Sequence, residues 1–455
     1  MNRPHRRSKN QSNQSHLESS SLPPQSAIES KRRGVSDNQS HENNDRPGLL
    51  GSLVSRLFRW CGDPPVAIEM GNGQRFSSNC QSIQTTIWIK DYATLFKVVS
   101  DPLFQFGECY SNGTLNIVQG DLEELMVTVF KSMNNRSPRS RLQRIWDFVR
   151  RPRRNTVRES KDNIHQHYDI GNDFYKLWLD EKLVYTCAYF KQPDDSLEQA
   201  QVSKLDHVCK KLQLRPGMSV VEAGCGWGAL AMHMAKHYGV RVKAFNISKE
   251  QITYARAAAE QEGLNDKIEF VLDDWRNIRG SFDAFASVGM LEHVGCDNFE
   301  LLGRTIQRCL KPQGLGLIHS IGQNQSVPLN SWIERRIFPG AYPPTLAEMM
   351  RIFEPQKFQV VDVENLRLHY AETLRHWRQR FEAVTDVVTE QYDESFVRMW
   401  QMYLAGSIAA FESGYLQLFQ VVFAAGDSNA VPWTRAHLYD DSNVQANEPI
   451  QTPTQ

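Results

Sequence analysis

Val220-Val221-Glu222-Ala223-Gly224-Cys225-Gly226-Trp227-Gly228 joins a short β-forming run to a turn with glycine at alternate positions. Helix-forming residues follow from Ala229 to Tyr238. Glycines let backbone approach a ligand closely, and the helix N-terminus behind them faces it, which is the arrangement nucleotide-type ligands require. The same texture continues outward. Ser219 to Ala223, Val240 to Phe245, Ile268 to Leu272, Phe282 to Val288 and Leu315 to Ser320 read as strands, separated by helical patterns over Ala229 to Tyr238, Lys249 to Glu262 and Asn298 to Leu310. Alternating strand and helix with short links predicts a parallel, doubly wound sheet. Such sheets bind ligands outside the carboxyl ends of their strands.

The residues that follow each strand narrow the ligand. Gly224 to Gly228 follow the first, Asn246 the second, Asp273-Asp274-Trp275 the third and Gly289-Met290-Leu291-Glu292-His293 the fourth, while His319 ends the fifth. A dinucleotide enzyme would want Gly-x-Gly-x-x-Gly and an acid after the second strand. Here the glycines alternate and Asn246 is neutral. Asp274 can accept from an adenine amino group while Trp275 covers the base. An adenosine ligand with no second nucleotide fits, and S-adenosylmethionine is the candidate.

Composition bounds the remainder of the chain. Its 455 residues have room for two or three domains. Lys plus Arg (52) equals Asp plus Glu (52), so no global field draws the chain to nucleic acid. Eight cysteines lie scattered without a Cys-x-x-Cys pair, which suggests neither a zinc site nor a disulfide framework and fits a reducing cytosol. No apolar run reaches the roughly 20 residues of a spanning helix, and none resembles a signal peptide.

Residues 1–47 are polar and poor in large apolar side chains, the composition of a disordered tail. A small α+β module is expected over 48–135, opening with an amphipathic helix from Leu49 to Trp60 that could dock on the protein's own core or lie on lipid. A basic linker helix over 136–160 carries Arg136, Arg139, Arg141, Arg144, Arg150, Arg151, Arg153, Arg154 and Arg158, with Leu142, Ile145, Trp146, Phe148 and Val149 interleaved. It suits anionic head groups, each basic side chain being worth about 1 kcal/mol near such a surface, or else it is a solvated connector. The catalytic domain is expected over 161–428 and a flexible tail over 429–455.

Further motifs occur in fixed order: His167-Tyr168-Asp169-Ile170-Gly171-Asn172-Asp173-Phe174-Tyr175, Tyr185-Thr186-Cys187-Ala188-Tyr189-Phe190, the glycine turn, and Ser287 to Gly295. Ile318 to Gly322, Ile337 to Gly340, His369 to Leu374, and Arg398-Met399-Trp400 with Tyr403-Leu404 follow. With these motifs the chain resembles the cyclopropane-fatty-acyl-phospholipid synthase family of S-adenosylmethionine-dependent methyltransferases, which includes the mycolic acid cyclopropane synthases. The resemblance implies a class I methyltransferase fold, an α/β Rossmann-like doubly wound and mostly parallel sheet, with a small N-terminal α+β domain. It places Tyr168, Tyr185 and Thr186 over the cofactor and Gly224, Gly226 and Gly228 beside its methionine moiety. Asn246 and Gln251 would lie near the ribose, and Asp274 and Trp275 at the adenine. Cys187, Glu292, His319 and Tyr370 would surround a bound bicarbonate ion.

The implied reaction explains these residue types. A sulfonium methyl alkylates a cis double bond and leaves a carbocation, and a base then removes a proton from the new methyl so the ring closes. An exchangeable anion can take that proton without being alkylated. His319 and Tyr370 can donate hydrogen bonds to it, and Glu292 can accept from its hydroxyl. Aromatic faces stabilise a passing cation, and Tyr175, Tyr189, Phe190, Phe338 and Trp400 are the candidates. Other readings stand beside these. Cys187 has the character of a small core residue, His165 and His167 have metal-binding spacing without a third ligand, and the aromatics from Phe396 to Phe423 are expected to pack a helical core.

Glu222 stands where the family commonly has aspartate, a longer carboxylate that is expected still to reach the cofactor's amino group; Asn246 stands where threonine is commoner and Leu291 where phenylalanine is. These departures leave methyl transfer intact and keep open a relative that installs a methyl branch without closing the ring. The expected function is cyclopropanation of unsaturated acyl chains by a cytoplasmic protein bound peripherally to the inner face of the membrane. Its partner is the phospholipid bilayer, not nucleic acid, and a homodimer is left open. A methyltransferase for a soluble small molecule and a lipid-binding protein with a vestigial cofactor pocket are the alternatives.

Overall fold

The computed structural model describes residues 49–134, 171–429 and 431–439. The expected disordered tail, the basic segment 136–160, His165, His167, Tyr168 and residues 440–455 lie outside the described residues.

The N-terminal module opens with α1 (Leu49–Trp60), whose apolar stripe buries Val54 and Phe58. Strands β1 (Val66–Met70), β2 (Arg75–Ser77), β3 (Thr85–Ile89) and β4 (Leu115–Gln119) form one sheet in the order β2-β1-β3-β4, with β1 and β3 parallel and the other pairs antiparallel. Helices α2 (Tyr92–Ser100) and α3 (Pro102–Ser111) connect β3 to β4, and α4 (Leu122–Asn134) follows. The Asp91 carboxylate caps α2 by accepting from Thr94 N at 2.8 Å. Neither β2 nor α3 was visible in the sequence pattern; β2 has three residues, too few to show alternation.

The second sheet has seven strands: β5 (Ser219–Ala223), β6 (Arg241–Asn246), β7 (Ile268–Leu272), β8 (Phe282–Val288), β9 (Leu310–Gln323), β10 (Gln359–Asn365) and β11 (Leu416–Ala424). Their order is β10-β11-β9-β8-β5-β6-β7. Successive side chains of β5 point to opposite faces. Val220 accordingly joins a core cluster with Leu230 and Met234 of α7 (Ala229–His237) and Ile252 of α8 (Lys249–Gln261). Val221 joins another with Phe299 and Ile306 of α9 (Phe299–Cys309). Both are fully buried, contributing about 1.5–3 kcal/mol each.

The sheet is mostly parallel, as expected, the exception being β11, which runs antiparallel to both β9 and β10. One expectation needs correction: the aromatics from Phe396 to Phe423 do not form one helical core. Helix α14 (Glu394–Glu412) ends before Gly414, which takes a positive φ of 76°, and Phe419 and Phe423 lie on β11. A continuous apolar run reads equally as buried helix or buried strand, and the glycine stop was the signal that separates them.

Helix α5 (Asn172–Lys176) and α6 (Leu197–Lys211) precede β5. Helices α10 (Ser331–Arg336), α11 (Leu346–Phe353), α12 (Arg367–Glu382) and α13 (Thr385–Gln391) lie between β9 and α14, and α15 (Ala436–Tyr439) follows β11. Aromatic side chains of α5, α12 and α14, among them Phe174, Trp377 and Trp400, pack into a third cluster that includes Trp227 of the glycine turn. The N-terminal module is seated on the same helices. Arg398 of α14 donates to Tyr110 O, Leu115 O and Asn116 Oδ1 at 2.6–3.0 Å, and Arg378 of α12 pairs with Asp121 and Glu123 at 2.8 Å.

Candidate active site

The turn after β5 departs from ordinary backbone at three points. Gly224, Gly226 and Gly228 have φ of 83°, 53° and 87°, the region where a Cβ is strained. Their surroundings differ. A Cβ at Gly224 would stand 2.9 Å from Met290 Cβ, and one at Gly228 2.8 Å from Phe270 Cζ, whereas one at Gly226 would meet nothing within 4 Å. Gly226 therefore borders open space, while Gly228 is held by packing beneath the turn.

That open space is a cavity of about 150 Å³ at the carboxyl ends of β5, β6 and β8. Of the residues expected around a cofactor, Tyr185, Thr186, Gly224, Gly226, Asn246, Gln251, Asp274 and Trp275 line it. Gly228 does not, and Tyr168 lies outside the described residues. Asn246 Nδ2 donates to Gln251 Oε1 at 2.8 Å and to Gly226 O at 3.2 Å, tying β6 to the glycine turn. The Asp274 carboxylate accepts from Arg276, both from its backbone N–H and from its guanidinium, which in turn lies 4.6 Å from the Trp275 ring centroid. Arg276 thus fixes the orientation of both the carboxylate and the ring.

Two further charged residues stand on this wall, and the sequence reading missed one of them, Lys204. Glu222, expected to reach the cofactor's amino group, is 2% exposed; burial pushes its carboxyl up to about 8, and Oε2 has no partner. Lys204 of α6 is also 2% exposed, burial pushes its ammonium down to about 8, and it donates to Thr186 Oγ1 at 3.0 Å. The available signal was a lysine in register with the buried positions Leu197, Ala200 and Val208 of an amphipathic helix.

A second, far larger cavity of about 1,570 Å³ adjoins the first. Its wall takes Ile68, Ile87 and Leu125 from the N-terminal module and Phe338, Tyr370 and Phe411 from the catalytic region. Tyr185, Thr186, Gly289 and His293 line both cavities. The Tyr185 hydroxyl lies 2.9 Å from that of Tyr403, and a Cβ at Gly289 would stand 2.8 Å from Thr186 Cγ2. Burial pushes His293 down to about 4, so it is neutral near pH 7.

The four residues expected around an anion divide into two pairs. Glu292 and Tyr370 line the large cavity. Glu292 Oε1 accepts from Ile321 N at 2.6 Å, Oε2 is buried without a partner, and burial pushes the carboxyl up to about 7. Cys187 and His319 are buried behind the wall, 0% and 1% exposed. Burial holds the Cys187 thiol well above its usual range, and its S–H points to Ala188 O at 3.1 Å, so it is no nucleophile in this setting. Gln420 Nε2 lies 3.1 Å from His319 Nδ1, and His319 Nε2 has no partner. Backbone links draw the pairs together. Ile321 lies two residues beyond His319 on β9, and Leu366 O, 3.8 Å from Cys187 Sγ, accepts from Tyr370 N.

Of the five aromatics expected around a cationic intermediate, Phe338 alone lines the large cavity. Tyr175 and Trp400 are fully buried in the aromatic cluster. Tyr189 stacks between His207 and His369, and Phe190 stacks on His376. Tyr185, Tyr403 and Phe411 stand on the cavity wall in their place. Adjacency in a motif does not set which way a ring points, and here packing against α6 and α12 does. No helix among the described residues is long and apolar enough to cross a membrane.

The family described as mycolic acid cyclopropane synthetase matches residues 155–421. The chain is similar to a probable fatty acid methyltransferase of Pseudomonas putida, 33% identical over 393 residues, covering 82% of this chain and 96% of that protein. It is also similar to the cyclopropane-fatty-acyl-phospholipid synthase of Escherichia coli K12, 40% identical over 267 residues, 58% of this chain and 68% of that protein. Among solved structures, a cyclopropane synthase of Mycobacterium tuberculosis superposes with a TM-score of 0.56 at 29% identity, covering 58% of this chain and 98% of that one.

Proposed function

Since the chain belongs to the mycolic acid cyclopropane synthetase family, we propose that it transfers a methylene group from S-adenosylmethionine to the cis double bond of acyl chains in membrane phospholipids, forming cyclopropane fatty acids. The observation that carries this reading is the shared wall. A small cavity bounded by the glycine turn and carrying Lys204, Glu222 and Asp274 on its wall meets a far larger one, bordered by Phe338, Tyr370 and Phe411, at Tyr185, Thr186, Gly289 and His293. A donor in the first presents its methyl there to an alkene in the second. Alignment of reacting groups at such a junction accounts for much of the rate enhancement in bimolecular transfers.

The chemistry balances without redox. The alkene π electrons form a bond to the methyl carbon as the carbon–sulfur bond breaks, leaving S-adenosylhomocysteine and a carbocation. Loss of a proton from the new methyl then closes the ring. Tyr185, Phe338, Tyr370, Tyr403 and Phe411 offer aromatic faces to the cation. Neutral His293 adds no opposing charge.

Bicarbonate held by Glu292, His319 and Tyr370 would supply the base for that proton. The fit rests on two buried atoms without partners, Glu292 Oε2 as acceptor and His319 Nε2 as donor. Cys187 contributes bulk behind them. The N-terminal module serves to admit lipid: Trp60 and Leu103 line the large cavity while 38% and 44% exposed, giving it an apolar rim suited to a bilayer surface. A protein bound peripherally to the inner leaflet follows from this reading.

A second product is supported by one relative, whose name is fatty acid methyltransferase and which this chain covers almost completely. The same cation, losing a proton from a neighbouring acyl-chain carbon instead of from the new methyl, yields a methyl-branched alkene. Mass spectrometry of lipids from cells with and without the gene separates the outcomes. A gain of CH₂ that survives alkene hydrogenation marks the ring, a gain that takes up hydrogen marks the branch, and no gain on any acyl chain overturns both.

A further inference from the structure

Lys204 has no evident structural task that repays its burial. An ammonium taken out of water is costly unless it is paired, yet the one hydrogen bond of Lys204 among the described residues goes to a neutral hydroxyl, Thr186 Oγ1. Asp180 and Glu222 are the carboxylates whose charge acts on it, and no ion pair joins it to either among the described residues. The Asp180 carboxylate is engaged by the backbone N–H groups of Lys182 and Val184 at 3.0 and 2.9 Å. An ammonium carries three donors, so two remain for something else. Lys204 and its hydrogen-bond partner both line the 150 Å³ cavity. On the same wall Glu222 Oε2 is buried with no partner.

The cavity therefore holds one buried basic and one buried acidic side chain, both incompletely satisfied. S-adenosylmethionine, on the reading above, carries the complementary pair at its amino-acid end, a carboxylate and an ammonium on one carbon. We propose that Lys204 binds the carboxylate of the methyl donor's amino-acid end, beside the ammonium that Glu222 is already expected to take. Anchoring that end has a direct consequence for the reaction, because two methylene groups separate it from the sulfonium. Thr186, which receives Lys204, stands on the wall shared with the large cavity. The clamp thus fixes the sulfur relative to the point where the methyl must leave.

Burial favours the neutral forms of both side chains, the carboxyl of Glu222 rising and the ammonium of Lys204 falling toward about 8. A zwitterion placed between them supplies each with the opposite charge and favours the ionised pair. An uncharged or singly charged ligand cannot do this for both.

Decarboxylated S-adenosylmethionine, which keeps the sulfonium and the amine and lacks only the carboxylate, tests the assignment by calorimetry on the full chain. The wild-type protein is expected to bind S-adenosylmethionine more tightly than the decarboxylated compound. Lys204→Met, an apolar side chain of similar length, should lose about 10- to 100-fold in affinity for S-adenosylmethionine while binding the decarboxylated compound nearly as before, as expected for loss of one hydrogen bond between charged groups. Lys204→Arg should keep part of the preference. If Lys204→Met retains the wild-type ratio of affinities, the assignment is overturned, and Lys204→Gln is read by the same ratio should the methionine variant not fold. If the wild-type protein binds neither compound, the donor reading itself fails, an outcome distinct from an unchanged ratio.

Discussion

Glu292 accepts a hydrogen bond from the backbone N–H of Ile321 at 2.6 Å through one carboxylate oxygen and leaves the other buried without a partner. The bonded oxygen anchors the side chain to β9, two residues beyond His319. The residue stands on the wall of a cavity that Tyr370 also lines. A carboxylate fixed on one side and unsatisfied on the other is organised to receive a donor that the protein itself does not provide.

Replacing Glu292 by Gln should therefore lower ring formation by at least about 100-fold, the usual scale for removing a group that acts on proton transfer, with S-adenosylmethionine affinity nearly unchanged. Product formation on vesicles and donor binding by calorimetry, measured side by side, check this. Full activity in the variant would remove Glu292 from the anion site. In the wild-type protein, activity should rise as pH passes through about 7, where this buried carboxyl ionises.

The same burial makes Glu292 a source of pH-dependent instability. Its carboxyl ionises near 4.5 in the unfolded chain and near 7 in the folded protein, so between these values the folded state binds more protons and stability falls as pH rises. Above pH 7 Glu292→Gln should be more stable than the wild-type protein relative to their difference at pH 4.5, by up to about 3 kcal/mol. Thermal unfolding of both proteins across that range reads the difference, and a constant offset would contradict it.

Gly226 and Gly228 should respond differently to alanine. Gly228→Ala drives a Cβ to 2.8 Å from Phe270 and should destabilise the fold by about 1–3 kcal/mol through overpacking, in addition to its strained φ. Gly226→Ala meets no neighbour, so it should cost only about 1–2 kcal/mol of backbone strain while obstructing the cavity. Loss of donor binding in a well-folded Gly226→Ala protein is the expected result. Equal effects of the two substitutions on stability and binding would not fit.

Two stretches of the chain enter the proposed membrane binding. Trp60→Asp with Leu103→Asp removes the exposed apolar rim of the large cavity, and replacing Arg150, Arg151, Arg153 and Arg154 by Ser removes charge worth about 1 kcal/mol per residue near an anionic surface. Sedimentation with vesicles containing anionic phospholipid should fall for both variants, and added salt should weaken the wild-type protein more than the Arg-to-Ser variant. Unchanged sedimentation would refute the lipid role of the stretch concerned.

Much of the catalytic sheet was legible because its signals are local. Val220 to Gly228 declares a strand, a turn that needs positive φ and a helix start, and the residues after each later strand are placed at one sheet edge by the parallel winding alone. Asn246, Gln251, Asp274 and Trp275 reach one cavity for that reason. Where a side chain points across space is another matter. Tyr189 and Phe190 follow Cys187 in sequence, yet they stack on histidines of α6 and α12, away from the cavity. Strands β10 and β11 pair with partners far along the chain, and apolar runs do not reveal such pairing.

The sequence by itself determined the glycine turn, the positions of β5 to β9 along the chain and the residue types available at their ends, since these follow from backbone sterics and short-range periodicity. Tertiary structure alone decided that a small and a far larger cavity share the wall at Tyr185, Thr186, Gly289 and His293. It also decided that Lys204 turns inward and that His319 sits behind the surface it was expected to form. Those facts depend on which elements pack together over distances in sequence of a hundred residues or more, where burial and close packing, not local propensity, select the arrangement.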